Sequence, residues 1–280
     1  MIPMQILQQI IQTALSEDLG HGDVTTSAIL GGEETGLARA VVKKDLVAAG
    51  IDIFREVFLA VDQNLIFTEH GMEGAWYSRG DILAEIEGSL KSILNAERTA
   101  LNILQRMCGI ATSTRRFVEA VEGTGTKILD TRKTAPGLRA LDKEAVRIGG
   151  GNNHRYALYD GVLIKENHIE AAEGIGNAVC LARLHVPHMM KIEVEVRNLE
   201  EASQALDASA DVIMLDNMGL DEMKQAVDLI GGRAVVEASG NVNLDNVREI
   251  ARTGVDFISV GALTHSVSAA DVSLLVKLRR

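Results

Sequence analysis

From Lys127 onward the sequence alternates short apolar runs with stretches of helical periodicity, and this alternation limits the fold more than any other feature. The runs are Lys127–Leu129, Gly161–Ile164, Lys191–Val196, Val212–Leu215, Ala234–Val236 and Val255–Val260. Helical spacing occupies Ala171–Leu184, Leu199–Ala208, Leu220–Ile230 and Leu244–Arg252, with a short helix expected near Leu141–Ile148. Runs too short for helices and apolar on both faces fit strands of a parallel sheet covered by crossover helices. A barrel and an open doubly wound sheet both satisfy that pattern. The polar residues separate them, because nearly every run ends in functional groups. These are Asp130, Arg132 and Lys133, then Lys165, Asn167 and His168, then Glu193 and Glu195, then Asp216 and Asn217, then Glu237 and Ser239, and finally Gly261. Many successive strand ends converge on one place only if the sheet curls into a barrel, whose chemistry lies on that face. An open sheet concentrates its site at one switch point. A barrel is therefore expected. Six strands fall short of the usual eight, so it is expected to be incomplete or small.

The first hundred residues read differently, as a mixed α+β unit. Ile6, Leu7, Ile10, Ile11, Ala14 and Leu15 recur at helical spacing up to Leu19-Gly20. Gly36–Ala49 is strand-like, Ile51–Val61 helical, and Asn64–Thr68 and Ile82–Glu87 are short strands. Ser89 is placed to cap a long helix with Leu90, Ile93, Leu94, Leu101, Leu104 and Met107 in one stripe, expected to stop at Gly109. A second helix is expected from Ile110 to about Val121.

Composition narrows the partners. The net charge of −11 disfavours nucleic acid and anionic membranes. No apolar stretch approaches the ~20 residues of a membrane span. The first residues lack the basic start and small-residue cleavage site of a signal peptide. Cys108 and Cys180 are too few for a disulfide framework or zinc site, and a cytoplasmic enzyme is expected. Against this acidic background, Lys127 to Arg155 holds seven Lys/Arg and three acids. Arg139, Lys143 and Arg147, four apart and beside Asp142 and Glu144, read as an exposed helix face. Arg132, Lys133 and Arg155 do not fit that pattern.

Three segments bring cations to the barrel mouth. Asp130-Thr-Arg-Lys-Thr134 follows a buried strand, and Gly149-Gly-Gly-Asn-Asn-His-Arg155 adds a loop with an imidazole and a guanidinium. Lys165 follows Val162-Leu163-Ile164, where it either pairs with a structural carboxylate or meets an anionic ligand. The concentration of cations favours the ligand, a dicarboxylate or phosphate. Opposite them, Ile192-Glu-Val-Glu-Val196 turns Glu193 and Glu195 inward. Glu193 reads as half of an ion pair. Glu195 with Asp216 suits Mg²⁺ shared with substrate phosphates. Ser239, Gly240 and Gly261, on the last strands, are small enough to cradle a phosphate with backbone N–H groups.

Together these motifs resemble the quinolinate phosphoribosyltransferase family, also called carboxylating nicotinate-nucleotide diphosphorylase. The likeness rests on Asp130-Thr-Arg-Lys-Thr-Ala-Pro-Gly-Leu-Arg139, Gly149–Arg155, Leu163-Ile-Lys-Glu-Asn-His168, Ile192–Val196, Leu215-Asp-Asn217 and Val260-Gly-Ala-Leu-Thr-His265. It extends to Glu17–Thr25 and Glu97-Arg-Thr-Ala-Leu-Asn102. Glu166 stands where the family more usually has Asp. A related family associated with molybdenum transport departs in the Gly-Gly-Gly and Lys-Glu-Asn-His regions.

The resemblance implies an α/β protein with an N-terminal sandwich domain over 1–109 and an incomplete α/β barrel over 110–268. A C-terminal helix over 269–280 would pack back on the first domain. It implies transfer of phosphoribosyl from 5-phosphoribosyl 1-diphosphate to quinolinate, with Mg²⁺, giving nicotinate mononucleotide, diphosphate and carbon dioxide in de novo NAD synthesis. Arg98, Arg132, Lys133, His154, Arg155 and Lys165 would surround quinolinate, Arg98 reaching from a second subunit of a homodimer. Glu195 and Asp216 would hold the metal and ribose side, and Ser239, Gly240, Gly261 and His265 the 5′-phosphate. Lys133 and Lys165 are both candidate proton sources. A Schiff-base aldolase using Lys165 and a non-catalytic phosphometabolite binder are the rival readings. Neither accounts for the acids and bases together.

Overall fold

The computed structural model describes residues 2–279. Along the chain its elements are α1 (Met4–Leu19), α2 (Val24–Ile29), β1 (Thr35–Val42), β2 (Leu46–Val47), α3 (Ile51–Val61), β3 (Ile66–Glu69), β4 (Trp76–Tyr77), β5 (Ile82–Ser89) and α4 (Leu90–Ala120). There follow β6 (Lys127–Leu129), α5 (Arg139–Ile148), β7 (Val162–Ile164), α6 (Glu166–Ala171), α7 (Ile175–His185), β8 (Ile192–Val196) and α8 (Leu199–Asp207). The chain ends with β9 (Val212–Asp216), α9 (Leu220–Ile230), β10 (Val235–Ser239), α10 (Val247–Ala251), β11 (Phe257–Ser259), α11 (Ala262–His265) and β12 (Val272–Arg279). Two units emerge, one of residues 1–115, 134–150 and 266–280, the other of 116–133 and 151–265.

The first unit is built on an antiparallel sheet of order β12-β1-β5-β3. Small residues of β1, Ala38 and Ala40, alternate into its core, and Phe54 and Phe58 of α3 meet edge to face with ring centroids 5.0 Å apart. Three sequence expectations are corrected here. The C-terminal segment is not a helix. Val272 and Leu274 are buried with period two, and β12 pairs antiparallel with β1 from Thr35↔Arg279 to Val42↔Val272. The helix implied by the resemblance is replaced by an edge strand whose side chains alternate against the sheet. Gly109 does not divide α4, which runs unbroken for 31 residues. A Cβ there would lie 2.3 Å from the Ser268 carbonyl oxygen, so this glycine serves a close backbone approach inside a helix rather than a stop. Finally, α5 is not a uniformly exposed charged face. Asp142 and Lys143 are buried, at 0% and 3% exposure, and only Arg147, paired with Glu144, lies in solvent.

The second unit is a parallel sheet of six strands in the order β6-β11-β10-β9-β8-β7. Its edge strands β6 and β7 are not ladder neighbours, so the barrel is incomplete. A parallel bridge between Leu129 and Asn152 extends the β6 edge. Buried Ile192, Val194 and Val196 of β8, and Ile213 and Leu215 of β9, face helices whose inner sides carry Ala202, Ala205, Met223 and Ala226. The helix expected over Ala171–Leu184 is two helices, because Glu173 (φ 60°) and Gly174 (φ 133°) turn the chain between them. Among the described residues no helix is long and apolar enough to cross a membrane.

Candidate active site

At the carboxyl ends of the parallel strands the second unit opens into a cavity of about 880 Å³. Arg132, Lys133, His154, Arg155, Lys165, Glu195, Asp216, Ser239, Gly240, Gly261 and His265 all line it. Parallel strands with one polar residue past each apolar run deliver side chains to a single rim, as the sequence pattern requires. Arg98 is not brought there. It lies exposed on α4.

The cationic side is organised by Asp130, fully buried at the end of β6. Its carboxylate accepts the His154 backbone N–H at 2.9 Å and the Asn153 amide at 2.7 Å, which fixes the 152–155 turn over the sheet. The Arg155 guanidinium donates to the Gly161 carbonyl at 2.8 Å. Burial, then the neighbouring Arg132 guanidinium, pushes Arg155 below its ordinary value. A guanidinium whose charge is disfavoured by burial and by a second guanidinium is one that a bound anion relieves. Lys165 is ion-paired with Glu195, a carboxylate of the cavity itself rather than of the core. The lysine side chain stays 47% exposed, so the pair sits at solvent, where such contacts are weak and exchangeable. The triple glycine is not a flexible loop at its start. Gly149 ends α5, and a Cβ there would lie 2.6 Å from the Ala111 carbonyl oxygen.

The acidic side holds Glu195 and Asp216 at the rim, with Glu193 and Glu237 deeper. Glu193 accepts from His154 Nε2 at 2.9 Å. Glu237 is 2% exposed, and burial, then the Glu193 charge, pushes its carboxyl up to about 7. The folded state therefore holds this proton more tightly than the unfolded chain, and stability from this group falls as pH rises from about 4.5 to about 7. Glu237→Gln, neutral throughout, is expected to raise stability at pH 8 by on the order of 2 kcal/mol and to change little at pH 4. Denaturant unfolding of both proteins at the two pH values checks this. An equal effect at both would contradict it.

Backbone in the left-handed region shapes the remaining wall. Asn217 (φ 54°), Gly240 (φ 99°) and Asn241 (φ 51°) come together, the Asn241 amide donating to Asn217 Oδ1 at 2.9 Å. A Cβ on Gly240 would lie 2.2 Å from that same oxygen. On Gly261 it would lie 3.2 Å from Lys133 Cδ and 3.1 Å from the His265 ring. Thr264 Oγ1 donates to the Lys133 carbonyl at 2.9 Å and ties these two loops. Asn217 Nδ2 donates to Asp216 Oδ2 at 3.0 Å. The sequence pattern gave Glu237 and Asn217 no role beyond standing at strand ends and did not assign one to Asn241, Asn243 or Ser259, yet all five line the cavity. Asparagines beside Asp216 and Gly240 were the available signal, since asparagine tolerates positive φ.

Two family models match the chain in sequence order, and the C-terminal one includes residues 134–150, which pack in the first unit. The quinolinate phosphoribosyl transferase N-terminal domain model matches residues 23–108, and the C-terminal domain model residues 110–275. The probable nicotinate-nucleotide pyrophosphorylase [carboxylating] of Bacillus subtilis (strain 168) is 42% identical over 272 residues, covering 97% of this chain and 94% of its own. The chloroplastic nicotinate-nucleotide pyrophosphorylase [carboxylating] of Arabidopsis thaliana is 43% identical, covering 98% and 84%. The crystal structure of NadC from Streptococcus pyogenes superposes with a TM-score of 0.95 at 38% identity, covering 100% of this chain and 99% of its own. That of the nicotinate-nucleotide pyrophosphorylase from Francisella tularensis gives 0.93 at 39%, covering 99% and 98%. With both domain models matched in order and relatives alike over nearly their full lengths, this chain belongs to the quinolinate phosphoribosyl transferase family.

Proposed function

We propose that this protein transfers phosphoribosyl from 5-phosphoribosyl 1-diphosphate to quinolinate with decarboxylation, yielding nicotinate mononucleotide, diphosphate and carbon dioxide. One observation carries the reading. A single cavity gathers Arg132, Lys133, Arg155 and Lys165 opposite Glu195 and Asp216, beside the close backbone at Gly240 and Gly261.

Quinolinate presents two adjacent carboxylates, and Arg132, Arg155, Lys133 and Lys165 neutralise them. Each charge-assisted contact contributes about 1.5–3 kcal/mol. Ser239 and the backbone at Gly240 and Gly261, with His265, receive the 5′-phosphate. When the ring nitrogen displaces diphosphate, positive charge develops on the ribose, and Glu195 stabilises it. Glu195 and Asp216 fit a hard cation. Glu195 Oε2 engages Lys165 and Asp216 Oδ2 engages Asn217, and each carboxylate has a second oxygen to offer. These two residues would hold Mg²⁺, which when bound neutralises the departing diphosphate. Loss of carbon dioxide leaves an electron pair on the ring carbon. Lys133 and Lys165 both line the cavity, and we assign the replacing proton to this pair of lysines. We place the reaction in the cytosol, consistent with the free thiols of Cys108 and Cys180.

Incubation with quinolinate, the phosphoribosyl donor and Mg²⁺ is expected to form nicotinate mononucleotide with equimolar diphosphate. Product from nicotinate and none from quinolinate would overturn the substrate.

Arg98 is exposed on α4 and outside the cavity lining of its own chain. We assign it to the quinolinate site of a second copy, in a homodimer. Arg98→Ala and Arg132→Ala are each expected to lose quinolinate affinity about tenfold or more. A mixture that exchanges subunits regains up to about a quarter of wild-type activity if each hybrid dimer has one intact site. Proven exchange without recovery would exclude the shared site.

A further inference from the structure

Between the cations and the acidic wall lies a buried cluster in which His154 of the cavity lining meets two acids. His154 Nε2 is 2.9 Å from Glu193 Oε2 and 3.9 Å from Glu237 Oε1. Its Nδ1 accepts the backbone N–H of Arg155 at 2.7 Å. An N–H can only donate, so Nδ1 carries a lone pair there. The ring hydrogen of a neutral imidazole is then on Nε2, and Glu193 accepts it. The side chains of His154 and Glu193 are only 12% and 9% exposed, which leaves the ring little freedom to turn.

The same three residues bring one ligand atom each within 4.8 Å of one another, the outline of a metal site. A metal on Nε2 would require the hydrogen to move to Nδ1, facing the Arg155 N–H donor-to-donor. The hydrogen-bond pattern therefore fits a fixed imidazole and not a ligand set. Glu193 Oε1 and Glu237 Oε1 are buried without a hydrogen-bond partner, which is costly. An acid kept at that cost, and bonded to a histidine, marks the histidine's orientation as what the cluster secures.

We infer that His154 is a positioning residue: Glu193 fixes its ring as the neutral Nε2–H tautomer, and Nδ1 holds the backbone of Arg155 in place. Arg155 is thereby held at three points, by the His154 ring at its own N–H, by Asp130 through the N–H of residue 154, and by Gly161 at its guanidinium. His154 contributes no positive charge to the anion site. The consequence for quinolinate rests on the reaction proposed above, whereas the state of the ring does not.

Two measurements decide it. In intact protein labelled with ¹⁵N-histidine, His154, identified by its loss in His154→Gln, is expected to show a protonated Nε2 and an unprotonated Nδ1 at pH 7, with and without quinolinate. An imidazolium or an Nδ1–H tautomer would overturn the inference, whatever the enzyme's substrate. In steady-state kinetics, Glu193→Leu is expected to raise KM for quinolinate about tenfold and leave KM for the phosphoribosyl donor within about twofold. Glu193→Gln, whose amide oxygen still accepts from Nε2, is expected to restore most of that affinity. In an Arg155→Ala background, Glu193→Leu is expected to add less than about twofold, because the residue it acts through is gone. A tenfold effect that persists in that background, or that falls equally on both substrates, would exclude the positioning role. Should Glu193→Leu not fold, the spectrum and the Glu193→Gln kinetics still decide. Absence of any turnover of quinolinate by the wild-type protein, with the ring as described, would overturn the reaction and leave the ring assignment standing.

Discussion

Arg155→Ala is expected to lower kcat/KM for quinolinate by about two to three orders of magnitude and to leave the protein folded. The size follows from the geometry. In the proposed complex the Arg155 guanidinium would make two charge-assisted bonds to a planar carboxylate, each worth about 1.5–3 kcal/mol, and about 1.4 kcal/mol is a factor of ten. The tolerance of the fold follows from electrostatics. Burial and Arg132 both act against the Arg155 charge in the ligand-free protein, so its removal relieves a repulsion even as the bond to Gly161 is lost. Stability should therefore change by less than about 1 kcal/mol, as measured by denaturant unfolding. Arg155→Lys keeps the charge but not the planar fork, and an intermediate loss is expected. If Arg155→Ala instead raised KM for the phosphoribosyl donor and spared quinolinate, the guanidinium would belong to the diphosphate side of the cavity.

The strands that carry this site were legible because a parallel sheet buried on both faces leaves little choice of residue. The expected runs Lys191–Val196 and Val212–Leu215 lie within a residue of the observed ends. The first polar group past each run was legible for the same reason, and Arg132, Lys165, Glu195 and Asp216 reach one cavity. What escaped depends on contacts distant in sequence. Gly109 looked like a helix stop because the Ser268 carbonyl that demands a missing Cβ lies 159 residues away along the chain. The last strand escaped because its antiparallel partner is β1, at the other end of the sequence. The Glu193–His154–Arg155 linkage could not be read either. Spacing shows that Glu193 points inward, but not which imidazole nitrogen meets it.

Lys143 and Asp142 were misplaced for a related reason, since a charged pair in a helix reads as solvated unless its partner is known. Asp142 is wholly buried. Its two oxygens accept Arg106 Nε and Nη2, both at 2.7 Å, and Oδ2 also accepts the Ala135 backbone N–H at 3.1 Å. The bidentate pair thus ties the 134–150 segment to α4 within the first unit. Asp142→Ala is expected to destabilise the protein by about 3–5 kcal/mol, because it removes the buried carboxylate of a bidentate pair and leaves the Ala135 N–H without its acceptor. The Arg106 side chain is 24% exposed, so water recovers part of its loss, and the lower end of that range is expected. Asp142→Asn retains one acceptor oxygen and should lose less. The informative variant is the double one. Arg106→Met with Asp142→Leu removes both charges, so a pair whose partners serve chiefly to satisfy each other predicts a smaller loss than in Asp142→Ala alone. Unfolding midpoints of the three variants decide between the accounts. If the double variant is the least stable, the pair contributes net attraction that apolar packing cannot replace. If it lies above Asp142→Ala, the cost of the single substitution is the cost of leaving the Arg106 charge without its carboxylate.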